Sequence, residues 1–147
     1  MVVLVFVLLF MANQYLSFFD TSVPAGFPSP ADDFLERKLD LNEYLIKNPT
    51  ATFFVRVRGS SMIQAGIFSE DILVVDRSLE PQNNMIVVAV LDGEFTVKRI
   101  QTSRNQICLI AENRNYKPIK ITEEMKFEVW GVVTGVIKDL RFNHFES

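Results

Sequence analysis

Ser61 stands in the run Gly59-Ser60-Ser61-Met62, and Lys98 follows in the run Glu94-Phe95-Thr96-Val97-Lys98-Arg99. A serine in a tight turn and a lysine in an apolar strand can serve as nucleophile and base without any histidine. The chain has one histidine, His144, near a polar C-terminus, which argues against a Ser-His-Asp triad. If the chain is a hydrolase, the Ser-Lys variant is the natural candidate.

The chemistry places demands on both residues. A serine hydroxyl is a poor nucleophile until a base takes its proton. An unperturbed lysine has a pKa of about 10.4, so at neutral pH its free base is scarce. Lowering that pKa by about 3 units costs about 4 kcal/mol, which desolvation among apolar groups can supply. On an alternating strand the same-face neighbours of Lys98 are Thr96 and Ile100, a semi-apolar face, and Arg99 points the other way. Gly59 allows a sharp turn just before the nucleophile. The backbone N–H groups of Ser60 and Ser61 are then the candidate oxyanion hole. The plain alternative is a turn serine and a solvated edge lysine, which spacing by itself does not exclude.

The remaining composition narrows the field. With 147 residues and 48% hydrophobic residues, the chain is long and apolar enough for a globular domain with a sizeable core. Its net charge is −3, from 15 basic and 18 acidic residues, and no basic block stands out. A phosphate-driven grip on DNA is not expected. The single cysteine, Cys108, reads as a buried thiol; it excludes an intrachain disulfide and offers no metal cluster. No metal or cofactor is expected, and a cytoplasmic location fits. Most of the 13 phenylalanines are expected in the core, with some apolar surface reserved for partners.

Residues 2–11, VVLVFVLLFM, are apolar throughout. Ten residues are too few to span a bilayer, which takes about 20. The run has the length of a secretory signal core, and Val23-Pro24-Ala25 offers small residues for a signal peptidase, but no Lys or Arg precedes it. The other reading is an apolar arm that packs on the domain or on a partner. Residues 20–33 carry Pro24, Pro28 and Pro30, which forbid a helix and favour the extended chain that a protease cleft accepts. A short helix is expected over 41–47, with Leu41, Tyr44 and Leu45 at helical spacing and Asn48-Pro49 as its stop.

From residue 51 the pattern is that of strands. Residues 53–58 alternate in part, and 72–75 and 86–91 are continuous apolar runs. Asp92-Gly93 predicts a two-residue hairpin joining 85–91 to 94–100 in antiparallel pairing. Residues 107–111 and 127–137 complete the strands, with loops at 80–84 and 113–118. A compact, mostly β domain follows.

The wording around the pair is more specific than the pair itself. Gly59-Ser60-Ser61-Met62, Gly66-Ile67, the stretch 71–76, Asp92-Gly93-Glu94-Phe95-Thr96-Val97-Lys98-Arg99 and Trp130-Gly131-Val132-Val133 resemble the LexA/UmuD self-cleaving family, peptidase family S24. Ala25-Gly26-Phe27-Pro28-Ser29-Pro30-Ala31 is similar to that family's cleavage site, and Asp40-Leu41-Asn42 to the segment behind it. The resemblance covers roughly residues 24–140 and favours the UmuD branch, since the DNA-binding half of LexA is missing. It implies a β-rich, LexA/UmuD-like Ser/Lys peptidase domain of twisted antiparallel sheets, preceded by an extended N-terminal arm. Its expected divisions are an arm at 1–38 with the self-cleavage site at Ala25-Gly26, a peptidase-like domain at 39–140 and a polar tail at 141–147.

The resemblance also implies a homodimer in which Ser61 attacks the Ala25-Gly26 bond with Lys98 as general base. Cleavage would be provoked by the RecA–single-stranded-DNA filament in the SOS response. The trimmed product, 26–147, would join UmuC in an error-prone translesion DNA polymerase, with no direct DNA or membrane binding. The arm 1–19 is more hydrophobic than the family's. Three alternatives stay open: a dimeric polymerase accessory module with an inactive dyad, a secreted β domain cut by another peptidase, and a signal-peptidase-like Ser/Lys protease. Against the last, Ile63-Gln64-Ala65 follows Ser61-Met62 without the proline that such enzymes favour.

Overall fold

The computed structural model of the chain describes residues 15–20, 25–26 and 35–141. The apolar run 2–11, the prolines of the 20–33 segment, and His144 with most of the polar tail lie outside the described residues. The chain divides into two units between Lys47 and Asn48.

In the first unit, β1 (Leu16–Asp20) pairs antiparallel with β2 (Leu35–Leu39), with Leu16 opposite Leu39 and Asp20 opposite Leu35. Ala25 and Gly26 form an exposed bend. The expected helix is shorter than its apolar spacing suggests: α1 covers Leu41–Leu45. Asp40 caps its start by accepting a hydrogen bond from the Asn42 N–H at 2.9 Å. Leu41 and Tyr44 are exposed.

The second unit is a seven-stranded antiparallel sheet. Its strands are β3 (Thr52–Arg56), β4 (Ile72–Asp76), β5 (Ile86–Leu91), β6 (Glu94–Ser103), β7 (Gln106–Ile110), β8 (Ile119–Lys120) and β9 (Phe127–Ile137), in the order β3-β4-β9-β5-β6-β7-β8. The continuous apolar runs lie where both faces are covered: residues 73–75 of β4 and 87–89 of β5 are fully buried. The β5–β6 hairpin turns at Asp92-Gly93 with positive φ at both residues, the primed turn whose twist matches its strands. β6 runs on to Ser103 and makes a second such turn at Arg104-Asn105 into β7, which the residues did not announce.

β9 is an interior strand, between β4 and β5. Its C-terminal part pairs with β4 and its N-terminal part with β5, and the two registers meet at Val132. Trp130 and Thr134 are extra residues relative to those partners, so β9 carries two bulges. The interior is built of two clusters. One is built on Val57, Met62, Ile67, Leu73, Val75 and Val88. The other is built on Val87, Ala89, Ile100, Leu109 and Val132.

The fully buried members of both clusters are aliphatic, and Phe53 and Phe127 pack half-buried against them. No phenylalanine side chain is fully buried among the described residues. Phe53 and the exposed Phe95 stack edge-on against Trp130, at centroid distances of 6.0 and 4.7 Å. Cys108 is half-buried on β7 rather than buried.

Candidate active site

The turn bearing Ser61 is held from both ends. Gly59 sits at φ +102°, a conformation that residues with a Cβ rarely adopt. After Ser61 the chain dives inward: Met62 and Ile67 are buried in the first cluster. The intervening 3-10 turn, Ile63–Ala65, closes with backbone bonds from Ala65 and Ile67 to the Met62 carbonyl. The serine therefore caps a packed loop at the rim of a cleft of about 380 Å³. Val57, Met62, Val88, Phe95 and Val97 give that cleft apolar walls, and Lys98 and Tyr116 also line it.

Lys98 comes from the middle of β6, opposite Val87 of β5. It is 9% exposed. Its Nζ lies 3.0 Å from Ser61 Oγ, 2.8 Å from Thr96 Oγ1 and 3.1 Å from the Val97 carbonyl oxygen. The last two can accept from the two N–H bonds of a neutral amine. The nitrogen lone pair is then free to accept the Ser61 hydroxyl proton. None of the ion pairs among the described residues includes Lys98. Burial without a carboxylate partner pushes its pKa below the ordinary lysine value. Arg99, the adjacent cation, turns away to Glu112 and to the Asn84 carbonyl.

Of the residues expected at the site, the fold brings Ser61 and Lys98 into hydrogen-bond contact, with Thr96 beside the lysine as strand alternation requires. The N–H groups of Ser60 and Ser61 have no acceptor among the described residues. Ala25 and Gly26 belong to the first unit, in their exposed bend.

Sequence reasoning missed the strap at residues 112–116, which spacing read only as a loop. Gln64 N–H donates to the Glu112 carbonyl at 2.8 Å, Asn113 Nδ2 donates to the Ser60 carbonyl at 2.8 Å, and the Tyr116 and Ser60 hydroxyls lie 3.2 Å apart. The signal was the Asn-rich turn Asn113-Arg114-Asn115, but nothing in the chain indicated which segment it would meet.

Among the described residues no helix is long and apolar enough to cross a membrane. Comparison with known proteins agrees with the geometry. The sequence pattern of the peptidase S24-like family matches residues 17–134. Protein SamA of Salmonella typhimurium is 48% identical over 123 residues, covering 84% of this chain and 85% of that protein. Protein MucA of Escherichia coli is 43% identical over 120 residues, covering 81% and 82%. The LexA repressor of Dechloromonas aromatica is 42% identical over 118 residues, which are 80% of this chain and 58% of the repressor. A match of that extent, with a serine and a buried lysine in one cleft, makes the chain a member of the LexA/UmuD-type, peptidase S24-like family of self-cleaving serine proteases.

Proposed function

We propose that this chain is an SOS-response autoprotease that cuts its own Ala25-Gly26 bond with Ser61 as nucleophile and Lys98 as general base. The observation that carries the reading is the 3.0 Å contact between Lys98 Nζ and Ser61 Oγ, at a buried amine that has no carboxylate partner among the described residues.

Ser61 Oγ attacks the Ala25 carbonyl carbon while its proton passes to Lys98 Nζ. The Ser60 and Ser61 N–H groups receive the oxyanion of the tetrahedral intermediate. The Lys98 proton then goes to the Gly26 nitrogen as the C–N bond breaks, releasing a chain that begins at Gly26. Water, deprotonated by Lys98, hydrolyses the acyl-Ser61 ester and restores the enzyme. A small residue at 25 suits a confined cleft, and glycine at 26 lets the chain bend through it.

In this reading the arm and cleavage site occupy 1–38, the peptidase-like domain 39–140 and a tail 141–147. The protein acts in the cytoplasm as a homodimer, and the RecA–single-stranded-DNA filament provokes the cut. The product, 26–147, serves with UmuC as accessory subunit of an error-prone translesion DNA polymerase. Membership of the self-cleaving family and the likeness to SamA and MucA support this assignment.

The test is an intact-mass time course at alkaline pH for the wild type, Ser61→Ala and Lys98→Ala, with and without a RecA filament. Loss of residues 1–25 in the wild type only is expected, and Gly26→Pro should block it. Cleavage in all three proteins would assign the cut to another peptidase. Cleavage in none of them, filament included, would favour a non-catalytic accessory role.

A further inference from the structure

The strap at 112–116 touches the Ser61 turn where a peptide plane matters most. Asn113 is 9% exposed, and its two amide atoms have separate tasks. Oδ1 accepts the Asn115 N–H at 3.0 Å, which fixes which end of the amide is oxygen. Nδ2 therefore faces the Ser60 carbonyl and donates to it at 2.8 Å. That carbonyl and the Ser61 N–H belong to one peptide unit. In a trans peptide they point in opposite directions, so holding the oxygen sets the direction of the N–H. A hydrogen bond accepted at the carbonyl also polarises the amide and makes its N–H a stronger donor.

The strap is itself anchored. Glu112 is tied to Arg99, the residue after Lys98, and its N–H meets Met62 Sδ at 3.4 Å. Its carbonyl accepts from Gln64. The Tyr116 hydroxyl reaches Ser60 Oγ, and the Tyr116 ring centroid lies 6.0 Å from Lys98 Nζ. Residues on either side of Asn113 are thus pinned to the two segments that carry the candidate nucleophile and base.

We infer that Asn113 is a positioning residue for self-cleavage: it aims and polarises the Ser61 N–H that receives the oxyanion, through its hydrogen bond to the Ser60 carbonyl. This inference rests on Ser61 being the nucleophile. It separates two functions of the site. Lys98 sets the pH at which the rate rises, and Asn113 sets the plateau that the rate reaches.

The experiment is the pH profile of self-cleavage for the wild type, Asn113→Ala, Asn113→Asp and Ser61→Ala, with the thermal unfolding temperature of each. Asn113→Asp keeps the acceptor for Asn115 but turns an ionised oxygen toward the Ser60 carbonyl. Asn113→Ala removes the donor without adding charge. The expected result is a plateau lowered about tenfold or more in Asn113→Ala and about 100-fold in Asn113→Asp, approaching the loss from deleting an oxyanion donor. The profile of Asn113→Ala should keep the wild-type midpoint, which a disturbed Ser61–Lys98 contact would move.

A plateau within about threefold of wild type in both variants, with Ser61→Ala inactive, would overturn the role of Asn113 alone. So would a loss no larger than the fraction of protein unfolded. Cleavage by Ser61→Ala at the wild-type rate would overturn the nucleophile assignment itself, and this inference with it.

Discussion

Thr96 and Lys98 stand two residues apart on β6, and the Thr96 hydroxyl oxygen accepts a hydrogen bond from Lys98 Nζ at 2.8 Å. The pairing follows from strand alternation, which puts both side chains on one face. It has two effects that oppose each other. An acceptor stabilises the ammonium and holds the pKa up, while the same contact directs the nitrogen at Ser61. In Thr96→Val the midpoint of the cleavage-rate profile should move to lower pH. Its plateau should fall about 3- to 10-fold, the value of one hydrogen bond. A midpoint that moves upward would show that Thr96 does not stabilise the charged amine.

The buried lysine should also leave a mark on stability. Its pKa in the folded chain is depressed by burial, so between that value and the unfolded value of about 10.4 the unfolded state binds more protons. Stability must then rise with pH across that window. Lys98→Met fills a similar volume without the charge and should be more stable than wild type at pH 7. The advantage is about 1.4 kcal/mol for each pKa unit of depression, and it shrinks as pH climbs toward 10.4. Urea unfolding of both proteins at pH 7 and pH 10 measures the difference. An equal gap at the two pH values would mean that the folded lysine titrates normally.

The site and the fold were legible in the residues to different degrees. The apolar runs of β4 and β5 and the Asp92-Gly93 hairpin placed Lys98 on a buried strand, because burial on two faces demands unbroken apolar sequence. Gly59 marked the turn, but not the burial of Met62 that anchors it. Pairings between segments distant in sequence were not legible. β9 lies between β4 and β5, and the 112–116 strap meets the Ser61 loop, only because of register and bulges that no local pattern encodes. The Arg104-Asn105 turn escaped because it lacks the glycine that usually announces positive φ. Composition did not show which rings would reach the core: Phe53, Phe127 and Trp130 pack half-buried against the two clusters, while Phe95 meets Trp130 from the exposed side.

Gly131 lies on β9 beside the Trp130 bulge, where strand β4 approaches too closely for a side chain. A Cβ there would meet Val75 Cγ1 at 2.7 Å and the Asp76 carbonyl oxygen at 3.1 Å. One contact is backbone, and the other is a fully buried valine with no room to move. Gly131→Ala should therefore destabilise the domain by about 1–3 kcal/mol, the usual cost of overpacking. The pH midpoint of self-cleavage should not change, because Lys98 is untouched. Equilibrium urea unfolding with no measurable loss would show that β4 and β9 can separate freely at this point.

Asp76 ends β4 as a buried carboxylate with three donors. Asn48 Nδ2 reaches Oδ2 at 2.8 Å, while the Ser78 N–H and hydroxyl reach Oδ1 at 2.8 and 2.6 Å. The Asn48 bond first, and then the Ser78 side chain, hold its pKa below the usual carboxylate value. A depressed carboxylate contributes stability above its unfolded pKa of about 3.9 and loses it as pH falls through the folded value. Asp76→Asn presents an amide that cannot accept from Asn48 while also accepting from Ser78, at a cost of about 2 kcal/mol at pH 7. The gap between wild type and variant should stay constant from pH 7 to about pH 5 and close progressively below about pH 4. Unfolding curves that keep the full gap at pH 2 would mean that packing, and not the charge on Asp76, ties the end of β4 to the Asn48 turn.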